Sequence, residues 1–216
     1  MTLRADLFWS FGSPYSHLAL MRWRQIVRDY DLLINLRPVY PPAMRQDGLA
    51  ERRHPNHLRY VNLDSRRIAD RMGVVLVLPR PDPLDQRGRD GVGDASQPLM
   101  RRLVRTCQAA ARRGRGFDYA DAVSQLIWSG IERWNSDHHL SAAVSHIGLD
   151  LSVLDGEADA DPAGLDRDIA ANQAVLEESG HWGVPTLIFS GEPFFGQDRI
   201  DMAMWRMERA GLARRR

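Results

Sequence analysis

The sequence predicts an α/β fold whose strands sit at the two ends of the chain, with an all-helical stretch of more than half the chain between them. Three observations carry this. Residues 3–11 alternate, are rich in aromatic side chains and run through Gly-Ser-Pro into a helical pattern and then a second extended run. The middle repeats apolar residues at helical spacing. Residues 183–211 read as strand, Ser190-Gly191 turn, short strand and amphipathic helix.

Each element has a local reason. Leu3–Phe11 is the first strand. Ser13 is a natural N-cap, and Pro14 is tolerated in a first helical turn, where its missing N–H would have been unpaired. Tyr15–Tyr30 carries Leu18, Met21 and Ile26 at helical spacing, and LLINLRPVY (32–40) is the second strand. A helix of that length is a crossover, so the two strands are expected to be parallel. His54–Gly73 places Leu58, Val61, Ile68 and Met72 on a helix that Gly73 ends. VVLVLP (74–79) is extended and apolar. Pro79–Pro98, rich in Pro, Gly, Asp and Arg, is a loop long enough to expect mobility or function. Helices follow at Leu99–Arg113, Tyr119–Glu132, Leu140–Ile147 and Pro162–Ser179, with Asp137 and Asp161 as start signals.

Composition narrows the class. The 216 residues are 44% hydrophobic and 26% charged, with a formal charge of +1. No overall field favours nucleic acid, and ARRGRG (111–116) and ARRR (213–216) read as a solvated helix end and a terminus. The single cysteine, Cys107, sits in a helical pattern as a packed thiol. It has no partner for an internal disulfide and belongs to no CxxC. No apolar run is long enough for a membrane span and the first residues lack a signal-peptide core, so a reducing cytoplasm is the expected compartment.

FGSPYSHLAL (11–20) is the most informative stretch. Ser13 and Ser16, with two residues between them, stand where a strand meets a helix. GVPT (183–186), FFGQDRID (194–201) and RYVNLD (59–64) are its companions. Together they resemble the kappa-class glutathione transferases and 2-hydroxychromene-2-carboxylate isomerases, within the wider DsbA-like superfamily. The resemblance implies a thioredoxin-like fold split by a large helical insertion. Residues 1–40 and 183–216 then form a discontinuous thioredoxin-like domain and 41–182 the insertion, with the active cleft between them.

In dithiol oxidoreductases of this fold a CxxC occupies the start of the first helix. Serines at Ser13 and Ser16 cannot exchange with a disulfide, which excludes that chemistry. The helix end still favours a thiolate, through free N–H groups and a partial positive charge. The resemblance implies that glutathione supplies the sulfur and that Ser13 donates to it. It also implies that Pro185 is cis and exposes the Val184 backbone to a cysteinyl residue. Gln197 and Asp198 then receive the γ-glutamyl end, with help from Asp64. Ser13 as a plain N-cap and Asp198 as a cap of the last helix remain compatible structural readings.

On the acceptor side Tyr15, Arg45, His54 and Asn56 are candidate contacts for a small aromatic or conjugated carboxylate. The expected reaction is the isomerase's. A transferase reaction on an electrophilic carbon, or a non-catalytic DsbA-like binding protein, are the alternatives. The family's transferases are often dimers, so a homodimer is expected. His138-His139 and His54 with His57 lack a third metal ligand at sensible spacing. Ser13 with His17 has neither a G-x-S-x-G elbow nor an orienting acid, which argues against a hydrolase.

Overall fold

β1 (Leu3–Trp9) and β2 (Leu32–Pro38) flank α1 (Pro14–Asp29) in the chain and pair in parallel, from Leu3 opposite Leu32 to Trp9 opposite Pro38. The structure, a computed structural model, describes residues 2–45, 54–85 and 96–215. β3 (Thr186–Phe189) joins the other edge of β1 antiparallel, and β4 (Glu192–Phe195) returns along β3, giving the order β2-β1-β3-β4. The hairpin turns on Ser190 at φ 52° and Gly191 at φ 80°; left-handed conformations at both central residues match the twist of the flanking strands.

Between the two pairs of strands lie α2 (His57–Met72), α3 (Pro98–Arg112), α4 (Gly116–Ile127), α5 (Asp137–His146), α6 (Leu151–Ala160) and α7 (Pro162–Glu178); α8 (Ile200–Arg209) follows β4. The α/β expectation with a helical insertion is met. Five details differ. The first strand stops at Trp9 and the second at Pro38, because the chain turns there toward α1 and toward a short 3-10 turn at Pro42–Met44. α4 begins at Gly116 and ends before Gly130, whose φ is 85°. α5 is capped by Ser136, which accepts from the His139 N–H, so Asp137 is its first residue rather than its cap. α6 has no counterpart in the sequence reading: Leu151, Leu154 and Ala158 lie at helical spacing but are interleaved with acids. Residues 74–79 join no strand; Val77 N–H donates to the Trp128 carbonyl at 2.9 Å, and Val75 stays exposed. Much of the long loop (86–95) lies outside the described residues.

Period-two alternation sends Ala5, Leu7 and Trp9 of β1 to one face of the sheet, into a continuous core with Leu20 and Trp23 of α1, Met100, Leu103 and Val104 of α3, and Ala203 and Met207 of α8. Phe8 faces the other way and packs with Val39 and Leu176 of α7. Trp9, Trp23 and Trp134 are fully buried side chains; burying each large apolar group contributes roughly 1.5–3 kcal/mol. Cys107 is buried in this core, where desolvation pushes its thiol well above the ordinary range.

Candidate active site

The sheet decides where the motifs meet. Phe8 of β1 lies opposite Thr186 of β3, and the two strands run in opposite directions. The C-terminal end of β1, which leads into Gly12-Ser13, is therefore beside the N-terminal end of β3, which follows Val184-Pro185. β4 ends at the same edge, so Gln197 and Asp198 arrive there as well. Gly196 N–H donates to the Pro185 carbonyl at 2.8 Å, tying these two segments together.

Ser13 is the N-cap of α1, extended at φ −112°, and its Oγ accepts from the Ser16 N–H at 3.2 Å. Capping uses an acceptor lone pair of the hydroxyl. Its proton has no acceptor among the described residues, and the side chain is half-buried. Ser16 is fully buried beneath it, and its carbonyl accepts from the Trp9 indole N–H at 2.8 Å. Of the two serines, Ser13 is half-buried and caps α1, while Ser16 is buried in the turn. His17 points away from Ser13: its Nδ1 lies 2.7 Å from Ser124 Oγ, and its ring stacks on Trp128. Burial first, then the Arg24 charge, lowers its pKa to about 4. It is a neutral core histidine.

The Val184–Pro185 bond is cis. Thr186 Oγ donates to the Gly183 carbonyl at 2.8 Å and shapes the loop from inside. The Val184 backbone N–H and C=O form no hydrogen bond among the described residues. Gly196 has φ 100°, and a Cβ there would meet Asp198 Oδ1 at 2.4 Å, so the Asp198 side chain folds back over a position open only to glycine. Asp198 is exposed and accepts from Arg199 at 3.0 Å; neither the 3-10 turn Gln197–Arg199 nor α8 has a side-chain cap. Arg22 of α1 donates to the Gln197 carbonyl at 3.0 Å and pairs with Asp201, which docks this turn on α1.

Tyr15 and Asp64 meet across helices: the hydroxyl donates to Asp64 Oδ2 at 2.9 Å. Burial and then this bond push the Tyr15 pKa well up, and Tyr60 and Asp198 lie near enough to add to the effect. Tyr15 thus remains a donor at any working pH. Arg45 donates from Nε to the Tyr40 carbonyl at 2.7 Å and from Nη2 to the Trp182 carbonyl at 3.2 Å, with Glu177 at 3.8 Å. Its guanidinium bridges the 40s segment to the Pro185 loop, and burial lowers its pKa. His54 and Asn56 are exposed ahead of α2 and bond one another, Asn56 N–H to His54 Nδ1 at 3.2 Å. Asn56 is eight residues before Asp64, about 12 Å along a helix, and among the described residues no hydrogen bond links this pair to the other expected site residues. A separate open groove of about 530 Å³, lined by Arg4, Asp6, Leu33, Asn35, Ile188 and Phe117 among others, holds none of the expected site residues.

Sequence reasoning passed over Arg22, Gly196 and the His181-Trp182 pair ahead of GVPT. For Gly196 the signal was present: a glycine directly before a helix-opening Gln-Asp-Arg.

The model of the DSBA-like thioredoxin domain matches residues 4–207. The chain belongs to that family. This DsbA-like chain is 25% identical over 203 residues to the 2-hydroxychromene-2-carboxylate isomerase of Pseudomonas putida, covering 91% of itself and 90% of the relative. Among solved structures it superposes on a 2-hydroxychromene-2-carboxylate isomerase with a TM-score of 0.72 at 22% identity, covering 96% of both chains. A probable DsbA oxidoreductase from Streptomyces coelicolor gives 0.66 at 16% identity, covering 96% of this chain and 89% of that one. The cytosolic disulfide reductase DsbM from Pseudomonas aeruginosa gives 0.62 at 17%, covering 95% and 99%. The DsbA-like chain carries Ser13 and Ser16 at the start of α1, and no described helix is long and apolar enough to cross a membrane.

Proposed function

We propose that the protein is a glutathione-dependent isomerase of the 2-hydroxychromene-2-carboxylate isomerase type, acting on an aromatic or conjugated carboxylate. The observation that carries this reading is Ser13: a hydroxyl that caps α1 with a lone pair and whose proton has no acceptor among the described residues, at the same sheet edge as the Val184 backbone. The site fits the tripeptide. An unpaired N–H and C=O at Val184 suit the backbone of a cysteinyl residue added as one more strand. Asp198 offers a carboxylate for an ammonium group, with Asp64 at the facing helix, and the polar Gln197 and the backbone N–H groups ahead of α8 suit a carboxylate. A curated relative is an isomerase, and a DsbM structure of the same fold was solved with glutathione.

Bound there, glutathione would supply a sulfur that adds reversibly to a conjugated carbon. The chain's own part is electrostatic. Ser13 donates to the sulfur position, and the α1 N-terminus adds partial positive charge, which together favour the ionised form near neutral pH. Tyr15, held protonated, fixes Asp64 on the facing helix. With a lone buried cysteine and serines at both motif positions, the chain offers no dithiol for disulfide exchange.

Calorimetry with glutathione tests the binding. The parent protein is expected to bind, Ser13→Ala and Asp198→Ala to bind several-fold more weakly. Absence of binding by the parent at millimolar concentration leaves a non-catalytic binding protein. Incubation with glutathione and a hydroxychromene carboxylate, and separately with a chlorinated nitroaromatic, tests the reaction. Turnover of the second alone replaces the isomerase by a transferase.

A further inference from the structure

Beside the Pro185 loop three rings form one stack. His181 stacks on Phe195, at 4.1 Å and 22°, and on Trp182, at 5.7 Å and 11°. Both outer members are open to solvent, Trp182 at 52% and Phe195 at 44%. The stack is held rigidly. Gly183 N–H donates to His181 Nδ1 at 2.9 Å, and a Cβ on Gly183 would meet Phe195 at 2.8 Å and His181 at 3.1 Å. The Trp182 carbonyl is fixed by Arg45 at 3.2 Å. Burial keeps His181 below its ordinary pKa, so the ring is neutral near pH 7. Two adjoining flat aromatic surfaces open to water beside the Pro185 loop form a patch on which a planar ring can stack.

We infer that the outer face of Trp182 is the platform on which the planar aromatic ring of the substrate stacks, with His181 and Phe195 holding it flat. A rigid stack selects for planarity, since a saturated ring of equal size touches it only at its edges. Trp182 is two residues before Val184, so a ring stacked there lies beside the segment expected to present the sulfur. The inference rests on the proposed function for the identity of the substrate; the preference for a planar ring is read without it.

The test uses the full chain and two probes of the same charge and ring count, 2-naphthoate and decahydronaphthalene-2-carboxylate, with binding measured by calorimetry without glutathione. The parent protein is expected to bind 2-naphthoate about tenfold more tightly than the saturated acid. Trp182→Leu keeps apolar bulk but no ring, and is expected to lose that preference; Trp182→Phe restores most of it. Thermal melting shows whether each variant is folded. Glutathione binding by the parent is measured separately, so failure of the glutathione reading and failure of the platform are told apart. A parent that does not distinguish the two acids overturns the inference. So does a Trp182→Leu variant with unchanged naphthoate affinity, or one whose only change is its mass in light scattering, which would assign the ring to contact between copies of the chain.

Discussion

At the scale of the residue, Ser13 has two roles that substitution can separate. Ser13→Ala removes the cap of α1 and is expected to cost about 1 kcal/mol of stability along with glutathione affinity. Ser13→Asp keeps a capping oxygen but sets a negative charge where a thiolate is expected. It should melt close to the parent and still lose affinity, a split that melting and calorimetry together resolve. His17 makes a prediction about pH. Its folded pKa of about 4 lies below the unfolded value of 6.5, so between these values the unfolded chain binds the extra proton. Its contribution is intact above pH 6.5 and is lost as pH falls toward 4, by at most about 1.4 kcal/mol per pH unit. His17→Gln should flatten that part of the urea-midpoint profile. Gly196 is the third case: alanine would place a Cβ against Asp198 at φ 100°. Gly196→Ala is expected to displace Asp198 and weaken glutathione binding more than it lowers the melting temperature.

At the scale of the element, α2 is the least anchored helix that carries a site residue. Of its sixteen residues only Ser65 and Ala69 are buried, while Leu58, Tyr60 and Leu63 are exposed. The Tyr15–Asp64 hydrogen bond joins it to α1. Tyr15→Phe removes that bond, worth about 1 kcal/mol, and the loss should fall on α2 rather than on the whole fold. Hydrogen exchange is expected to speed up across residues 57–72 while the cores of α3 and α4 keep their protection. Uniform acceleration over the whole chain would contradict this. By contrast α3 is stapled on its outer side, Arg102 bidentate to Asp155 and Arg105 bidentate to Asp166, which also accepts from Tyr40.

At the scale of the whole molecule, sheet and inserted helices share one core: Leu7 and Trp9 of β1 pack in the same cluster as Met100, Leu103, Tyr119 and Leu165. Near- and far-ultraviolet dichroism should therefore report one coincident unfolding transition; two separated transitions would show the insertion folding by itself. The sequence by itself determined the order of strands and helices, the parallel first pair, the cap at Ser13 and the hairpin at Ser190-Gly191. Those features depend on alternation, crossover length and turn chemistry, all local to the chain. It missed α6, where acids at Asp155, Glu157 and Asp159 mask a narrow apolar stripe that pays off only against α3, α5 and α7. It did not reveal that Ser16 is buried and His17 turned toward Ser124, since the face a helix presents is decided by what packs on it. Nor did it join Tyr15 to Asp64, Arg45 to the Trp182 carbonyl, or Gly196 to Pro185. Those partners are 49, 137 and 11 residues apart in the chain, and only the closing of β3 against β1 and the docking of α2 on α1 brings them within hydrogen-bond reach.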